Sequence, residues 1–180
     1  MKFNNTATAR AIVLICAAAL GMSCDGSSGK PAPKQETATY LSIIPATGKQ
    51  VLEAVHSADA QAVLLNVWAT FCIPCVEEFP DLIRLHKTYK DQGLKLILVS
   101  GDFEDQRSSV ETFLTRQGVD FATYLKAGKD MAFINTLDSR WSGALPASWI
   151  YDANGVKRHF WEGKASYETL EKRVLSVLNK

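Results

Sequence analysis

The fold of this chain is decided by the stretch Asn66-Val67-Trp68-Ala69-Thr70-Phe71-Cys72-Ile73-Pro74-Cys75-Val76-Glu77-Glu78-Phe79-Pro80. A nearly continuous apolar run from Ala62 to Trp68 leads into it, and such a run is typical of a central strand covered on both faces. Two cysteines follow, and the apolar residues beyond them recur at helical spacing. The pattern predicts a buried strand, a short loop and a helix that begins at the cysteines.

The two cysteines of this stretch are separated by two residues, so they can close a small disulfide ring across the first turn of the helix. Cys72 is expected near the helix N-terminus, where free N–H groups and the helix dipole stabilise a thiolate. Cys75 lies one turn on and points inward, so it is expected to attack the mixed disulfide formed between Cys72 and a substrate. Pro74 suits a first helical turn, which has no partner for the N–H that proline lacks. The spacing therefore predicts a redox-active Cys72–Cys75 disulfide.

A structural disulfide and half of a zinc site are the alternatives for this cysteine pair. A zinc site would need two more Cys or His ligands, and the sequence has no second pair at ligand spacing. Cys16 and Cys24 lie in the N-terminal segment, which leaves no structural disulfide framework for the body of the chain. We therefore expect neither a metal nor another cofactor.

The stretch from Asn66 to Pro80 resembles the active site of the thioredoxin superfamily. It is most similar to the TlpA/ResA-like branch of extracytoplasmic thiol-disulfide oxidoreductases, whose pattern reads roughly N-x-W-A-T-x-C-x-P-C-x-x-E-x-P; Phe71 stands where Trp is usual. The likeness extends over residues 40–179. It implies a thioredoxin-like three-layer α/β/α fold with a mixed central sheet and the insertion typical of the branch, here around residues 119–137.

Glu78 matches the glutamate of this pattern. The role that the resemblance implies is a partly buried carboxylate that tunes the thiol pKa values and relays a proton, because burial raises a carboxyl pKa towards the working pH. Asn66 stands where thioredoxins proper carry a buried aspartate, and an amide cannot titrate. The alternative is that Glu78 is a surface charge favoured by the helix dipole. Glu77 points about 100° away around the helix and is expected to face solvent.

A second chemical feature is the segment Gly143-Ala144-Leu145-Pro146-Ala147-Ser148-Trp149-Ile150-Tyr151-Asp152. In the family a cis proline opens this strand and packs against the disulfide, and Pro146 matches its position. The resemblance implies that the backbone of Leu145 pairs with an extended substrate segment, as in β-strand addition. The other residues that we expect to contact the substrate are Trp68, Phe71, Ile73 and Pro74.

Residues 1–24 have the pattern of a signal peptide, with Lys2 and Arg10 before the apolar run Ala11 to Leu20. That run is about half of the roughly 20 residues that cross a bilayer. The end of the segment resembles a bacterial lipoprotein box in which Cys24 is lipidated, and ordinary cleavage near residues 17–19 is the alternative. Residues 25–39 read as a flexible linker and residues 40–180 as the thioredoxin-like domain. We expect the protein to be extracytoplasmic, in the periplasm or the cell envelope.

The rest of the chain predicts a βαβ arrangement followed by a hairpin and a final helix. With 180 residues, 47% hydrophobic composition and a net charge of +1, the chain can form one cored domain and is not a basic nucleic-acid binder. The predicted elements are a strand at 40–44 ended by Pro45, a helix at 49–57, a strand at 94–100, a helix at 105–117, a strand at 119–125, a helix at 131–137, a turn at 152–155 and a helix capped by Ser166.

These patterns together predict an exported thiol-disulfide oxidoreductase that acts mainly as a reductant. The resemblance implies exported protein substrates such as apocytochrome c, and a membrane electron donor that restores the dithiol; we expect a monomer. An oxidase or isomerase on the same scaffold is the main alternative. A copper-binding module is another, although such modules usually have three residues between the cysteines and a distant histidine, for which His159 is the late candidate. No Pro-x-x-x-Thr-x-x-Cys pattern, typical of a peroxiredoxin, surrounds Cys72.

Overall fold

The computed structural model describes residues 41–179. The strands are β1 (Ser42–Ala46), β2 (Ala62–Trp68), β3 (Leu94–Ser100), β4 (Ala122–Lys126), β5 (Ala147–Asp152) and β6 (Lys157–Glu162). The α-helices are α1 (Gly48–His56), α2 (Ile73–Tyr89), α3 (Arg107–Arg116), α4 (Asp130–Leu137) and α5 (Tyr167–Leu178), with short 3-10 turns at Lys90–Gln92 and Glu104–Gln106.

The strands form one mixed sheet in the order β1-β4-β3-β2-β5-β6. The pairs β1/β4, β4/β3 and β3/β2 are parallel, whereas β5 runs antiparallel to both β2 and β6. All seven residues of β2 are buried, which confirms the prediction of a central strand covered on both faces. The hairpin β5–β6 is confirmed as well.

Helices cover both faces of this sheet. Side chains alternate between the two faces of a strand, so Leu64 packs with α2, α3 and α5, while its neighbours Val63 and Leu65 pack with α1 and α4. Two hydrophobic clusters result, one on each side of the sheet. The predicted three-layer α/β/α architecture is therefore confirmed.

The ends of the helices follow the signals in the sequence. Helix α2 begins directly after its N-cap Cys72, and the turn that extends it stops at Gly93, whose φ of 94° favours glycine. Helix α5 is capped by Ser166, whose side chain accepts a hydrogen bond from the Thr169 N–H.

The first strand differs from the prediction, which ended it at Pro45. The structure places Pro45 inside β1, where it is in register with Leu125 of β4. Strand β1 lies at the edge of the sheet and pairs on one side only. A proline that lacks an N–H is tolerated on such a strand.

The predicted signal peptide (residues 1–24), the lipidation site Cys24 and the linker (residues 25–39) lie outside the described residues. Within residues 41–179, no helix combines the length and apolar character needed to cross a bilayer.

The antiparallel pairing of β2 with β5 brings two distant segments together. Val67, near the end of β2, is in register with Ala147, the first residue of β5. The loop that leads from β2 to Cys72 and the loop that carries Pro146 into β5 therefore meet at one end of these two strands.

Candidate active site

Cys72 and Cys75 form a disulfide across the first turn of α2. The Cys72 sulfur also accepts a hydrogen bond from the Cys75 N–H at 3.3 Å. Cys72 is 9% exposed, whereas Cys75 is 1% exposed. Both cysteines are thus largely buried, and Cys72 is the more exposed of the two.

The loop that leads into Cys72 is held by a buried carboxylate. The Thr70 N–H donates to Asp102 Oδ2 at 3.0 Å, and the Thr70 hydroxyl donates to the same carboxylate. The Ser100 hydroxyl donates to Asp102 Oδ2 at 2.6 Å, and Asp102 is fully buried. The sequence analysis did not single out Asp102, although an acidic residue two positions after an apolar strand is a signal that could have found it. The carboxylate ties the active-site loop to the end of β3.

Glu78 is fully buried on α2, one turn after Cys75. Its Oε1 atom accepts a hydrogen bond from the Ala165 N–H at 2.9 Å, and its Oε2 atom accepts one from Asn66 Nδ2 at 3.5 Å. Burial raises the pKa of Glu78, and these two hydrogen bonds oppose the rise. The alternative of a surface charge is thereby wrong. Glu77 is exposed, as predicted, and pairs with Lys164 at 2.8 Å.

A series of buried hydrogen bonds leads from Glu78 through Asn66 to Ser148 in the sheet. Asn66 Nδ2 donates to Ser148 Oγ at 2.9 Å, and the two residues are in register on β2 and β5. Both are buried. Within residues 41–179, Asn66 Oδ1 has no hydrogen-bond partner. The sequence analysis did not assign Ser148 to these hydrogen bonds, although a hydroxyl in an otherwise apolar strand is a signal that could have found it.

The loop before β5 contains the cis peptide bond that the resemblance implied, between Leu145 and Pro146. Pro146 is buried, and its carbonyl accepts a hydrogen bond from the Gly163 N–H at 2.8 Å. Leu145 is half-buried, and its own N–H and C=O form no hydrogen bond with any part of the chain that the structure describes. These main-chain groups are available to an incoming strand.

Of the residues predicted to contact the substrate around the cysteines, three are exposed and one is buried. Phe71 is 61% exposed and Ile73 is 74% exposed, and Pro74 is exposed beside them. Trp68 is 1% exposed, and its ring packs against Phe79 at 4.8 Å between ring centroids. The prediction that Trp68 lies at the rim is wrong, because its position on β2 directs the indole into the layer beneath α2. In the range 41–179, no three His, Cys, Asp or Glu side chains come together as a metal site.

We expect Glu78→Gln to remove one titration from the pH profile of Cys72 alkylation in the reduced protein. Above its raised pKa the Glu78 carboxyl is an anion, which disfavours a nearby thiolate; below that pKa it is neutral. The amide keeps the shape of the side chain, and its oxygen can still accept the hydrogen bond from the Ala165 N–H. The same variant should slow disulfide exchange by roughly 10²-fold, the lower end of the usual contribution of an acid–base group.

The rate of alkylation by iodoacetamide, followed from acid to alkaline pH, measures the first effect. Glu77→Gln is the matched control, since it changes the same chemistry one residue away on an exposed side chain. A Glu78→Gln profile that superimposes on that of Glu77→Gln would show that the buried carboxylate does not act on the thiols.

Comparison with known proteins agrees with this geometry. Residues 29–160 match the model of the AhpC/TSA family. The chain is 29% identical over 117 residues to thiol-disulfide oxidoreductase ResA of Geobacillus kaustophilus, which covers 65% of this chain and 63% of that protein. It is 30% identical over 107 residues to ResA of Halalkalibacterium halodurans, covering 58% of this chain and 57% of the relative. The chain therefore spans about three fifths of the length of these curated relatives.

Solved structures show the same fold. A thiol:disulfide interchange protein of the thioredoxin family from Chlorobium tepidum superimposes with a TM-score of 0.58 at 22% identity, covering 70% of this chain and 83% of its own. The fold is thus thioredoxin-like, with the cysteines and the cis proline at the carboxyl end of β2 and Glu78 one helical turn after Cys75.

Proposed function

We propose that this chain, which belongs to the AhpC/TSA family, is an exported thiol-disulfide oxidoreductase that reduces disulfides in extracytoplasmic proteins. The observation that carries the proposal is the disulfide at the start of α2, in which Cys72 is 9% exposed and Cys75 is 1% exposed. A structural disulfide would not need this asymmetry, whereas a nucleophile and a resolving thiol do. Relatives that bear the name thiol-disulfide oxidoreductase ResA support the same assignment.

The first step forms a mixed disulfide. The Cys72 thiolate of the reduced protein attacks one sulfur of the substrate disulfide; a Cys72–substrate bond forms and the substrate S–S bond breaks. The second substrate sulfur leaves as a thiolate and takes a proton from water. The N-terminus of α2 favours the attacking thiolate, because its free N–H groups and dipole face Cys72.

The second step releases the substrate. Cys75 loses its proton and attacks the Cys72 sulfur, so that the disulfide seen in the structure forms and the remaining substrate sulfur leaves as a thiolate. Glu78, one turn away and raised in pKa by burial, is the acceptor that we assign to the Cys75 proton. The second substrate thiolate then takes a proton from the solvent, and Glu78 releases its proton to the solvent. Over both steps the substrate gains two electrons and two protons, and the dithiol is oxidised. A membrane electron donor then restores the dithiol.

The substrate approaches along the loop before β5. The unpaired N–H and C=O of Leu145 support β-strand addition by an extended substrate segment next to Pro146. Phe71, Ile73 and Pro74 are exposed next to Cys72 in the sequence and are the side chains that the substrate would cover.

The cellular setting of the proposal rests on the N-terminal sequence pattern. Cleavage of residues 1–24, or lipidation of Cys24, would place the domain outside the cytoplasm on the linker at residues 25–39. Paired cysteines of apocytochrome c are a fitting substrate, because they must be reduced outside the cytoplasm. We assign the protein as a monomer in this role.

The midpoint potential of the Cys72/Cys75 couple tests the direction of the reaction. The full chain is equilibrated against thiol–disulfide buffers and the fraction of free thiol is measured. A value below about −220 mV would support a reductant that is recharged across the membrane, as proposed. A value near −120 mV would mean that the same residues form an oxidant, and the oxidase or isomerase alternative would replace the proposal.

A further inference from the structure

The turn between strand β6 and helix α5 contacts two parts of the site through its main chain. Its residues are Gly163-Lys164-Ala165, called here the 163–165 turn. The Gly163 N–H donates to the Pro146 C=O at 2.8 Å. Two residues later, the Ala165 N–H donates to Glu78 Oε1 at 2.9 Å. This turn therefore joins the cis-proline loop to the buried carboxylate of α2.

The hydrogen bond from Ala165 is shorter than the other bond that Glu78 accepts. Asn66 Nδ2 lies 3.5 Å from Glu78 Oε2, at the long limit of a hydrogen bond, and donates to Ser148 Oγ at 2.9 Å. Burial raises the pKa of Glu78, and the Ala165 N–H is the strongest of the groups that oppose this rise. The carboxylate therefore depends mainly on the main chain of the 163–165 turn.

The direction of the Ala165 N–H depends on the backbone conformation at Gly163. Gly163 has a φ of +84°, in the left-handed region that β-branched residues avoid. Within the described residues, a Cβ added at Gly163 would have no neighbour within 4 Å. The backbone conformation, and not a shortage of space, is therefore what requires glycine here.

The groups around Glu78 that carry or can take a charge come from helix α2 and the turn. Cys75 lies one helical turn before Glu78, and Asp81 lies one turn after it. In addition to burial, the negative charge of Asp81 raises the pKa of Glu78, whereas Lys164 lowers it. Strand β2 presents the uncharged amide of Asn66, and helix α5 contributes apolar side chains to the cluster that it shares with α2.

We propose that the 163–165 turn is a positioning element of the redox site, in which the left-handed conformation of Gly163 directs the Ala165 N–H onto the Glu78 carboxylate. Gly163 is a positioning residue, because it acts through Ala165 and Glu78. The inference rests on the proposed function, in which Glu78 accepts the Cys75 proton. It adds that the state of this acceptor is controlled by a main-chain donor 87 residues further along the chain.

Gly163→Val is expected to move the Glu78 titration in the alkylation profile of Cys72 to higher pH. Valine disfavours the positive φ, so the backbone rotates and the Ala165 N–H leaves the carboxylate. The buried anion then loses its main donor, and the protonated form persists to higher pH. Gly163→Asn should keep the wild-type profile, because asparagine enters the left-handed region more readily than most residues. Iodoacetamide alkylation of the reduced full chain, followed from acid to alkaline pH, measures both variants.

A second measurement requires no change in the backbone. In the NMR spectrum of the reduced wild-type chain, the amide proton of Ala165 should shift with the same midpoint pH as the Cys72 profile, because it donates to Glu78. Glu78→Gln should abolish this titration. If Gly163→Val does not fold, the Ala165 titration decides the question.

Gly128→Val is the matched control for backbone strain. Gly128 has a φ of +86°, and among residues 41–179 a Cβ added there would also have no neighbour within 4 Å, but it lies between β4 and α4. This variant should lower the thermal stability about as much as Gly163→Val and leave the alkylation profile unchanged. Glu77→Gln should leave the profile unchanged as well, because the Glu77–Lys164 pair is exposed and contributes little.

Three results would overturn the inference: a wild-type profile in folded Gly163→Val, an equal shift in Gly128→Val, or an Ala165 amide that does not titrate with the thiols. A shift caused by Gly163→Val that persists in the Glu78→Gln background would also overturn it, because the turn would then act on the cysteines by another route. The proposed function stands in each of these cases. It fails instead if the reduced wild-type chain reduces a small disulfide no faster than a free thiol does.

Discussion

Replacement of Cys75 by serine is expected to stop the reaction after its first step, with Cys72 joined to the substrate by a disulfide. The structure supports this order because Cys72 is the more exposed cysteine, at 9%, and Cys75 is 1% exposed. Without the second thiol, the mixed disulfide has no intramolecular route to resolution. Cys72→Ser should instead lower the rate of disulfide reduction by roughly 10³-fold or more, as expected for the loss of a catalytic nucleophile.

Mass spectrometry of the full chain, incubated with a disulfide-bonded peptide and quenched with acid, measures the adduct. The double variant with serine at both positions is the control and should carry no peptide. Multiple turnovers by Cys75→Ser at the wild-type rate would contradict the assignment of nucleophile and resolving thiol. An adduct on Cys75 in the Cys72→Ser variant, formed at the wild-type rate, would reverse it.

Asp138→Ala is expected to lower the free energy of unfolding by about 2 kcal/mol, the scale of hydrogen bonds to a charged group. The Asp138 side chain is 5% exposed and accepts hydrogen bonds from Arg140 at 2.8 Å and from Lys157 at 2.7 Å. The Trp149 indole N–H also donates to it, at 3.3 Å. Truncation would leave the Lys157 ammonium, which is 28% exposed, without its carboxylate.

The effect of Asp138→Ala should depend on pH in a defined direction. Hydrogen bonds from Arg140, and then from Lys157, hold the pKa of Asp138 well below its usual range. A carboxyl whose pKa is lower in the folded state stabilises the fold above the unfolded pKa of about 4, and that contribution is lost as the pH falls towards the folded value. The difference between wild type and variant should therefore shrink in acid.

Urea denaturation at pH 7 and at pH 3 measures this difference. Glu53→Ala is the control, because Glu53 pairs with Lys49 at 3.9 Å with both side chains largely exposed. Such a pair contributes about 0–1 kcal/mol. The role given to the buried carboxylate would be contradicted if Asp138→Ala lowered the free energy of unfolding no more than the control does. It would also be contradicted if this loss of free energy were larger at pH 3 than at pH 7.

Sequence patterns that span a few residues predicted the parts of the fold that depend on neighbouring residues. The apolar run of β2, the cysteines at the start of α2 and the cap at Ser166 depend on residues within a few positions of one another. Periodicity, capping and turn chemistry act over that range. The pairing of Cys72 with Cys75 and the hairpin β5–β6 belong to the same class.

The remaining parts of the site depend on contacts between distant segments. Ala165 lies 87 residues after Glu78 and Ser148 lies 82 residues after Asn66, so no local pattern links them. The burial of Trp68 likewise depends on the helix packed above it. The resemblance of the motif predicted a role for Glu78, but the main-chain donor that holds it became visible only in the folded chain.

The antiparallel pairing of β2 with β5 also means that the two loops of the site come from segments synthesised at different times. Cys72 and Cys75 precede Leu145 by 73 and 70 residues, so both are synthesised before the segment that pairs with β2 as β5. Cys72 and the cis Leu145–Pro146 bond can therefore meet at one end of the sheet only after β5 has been synthesised and has paired with β2.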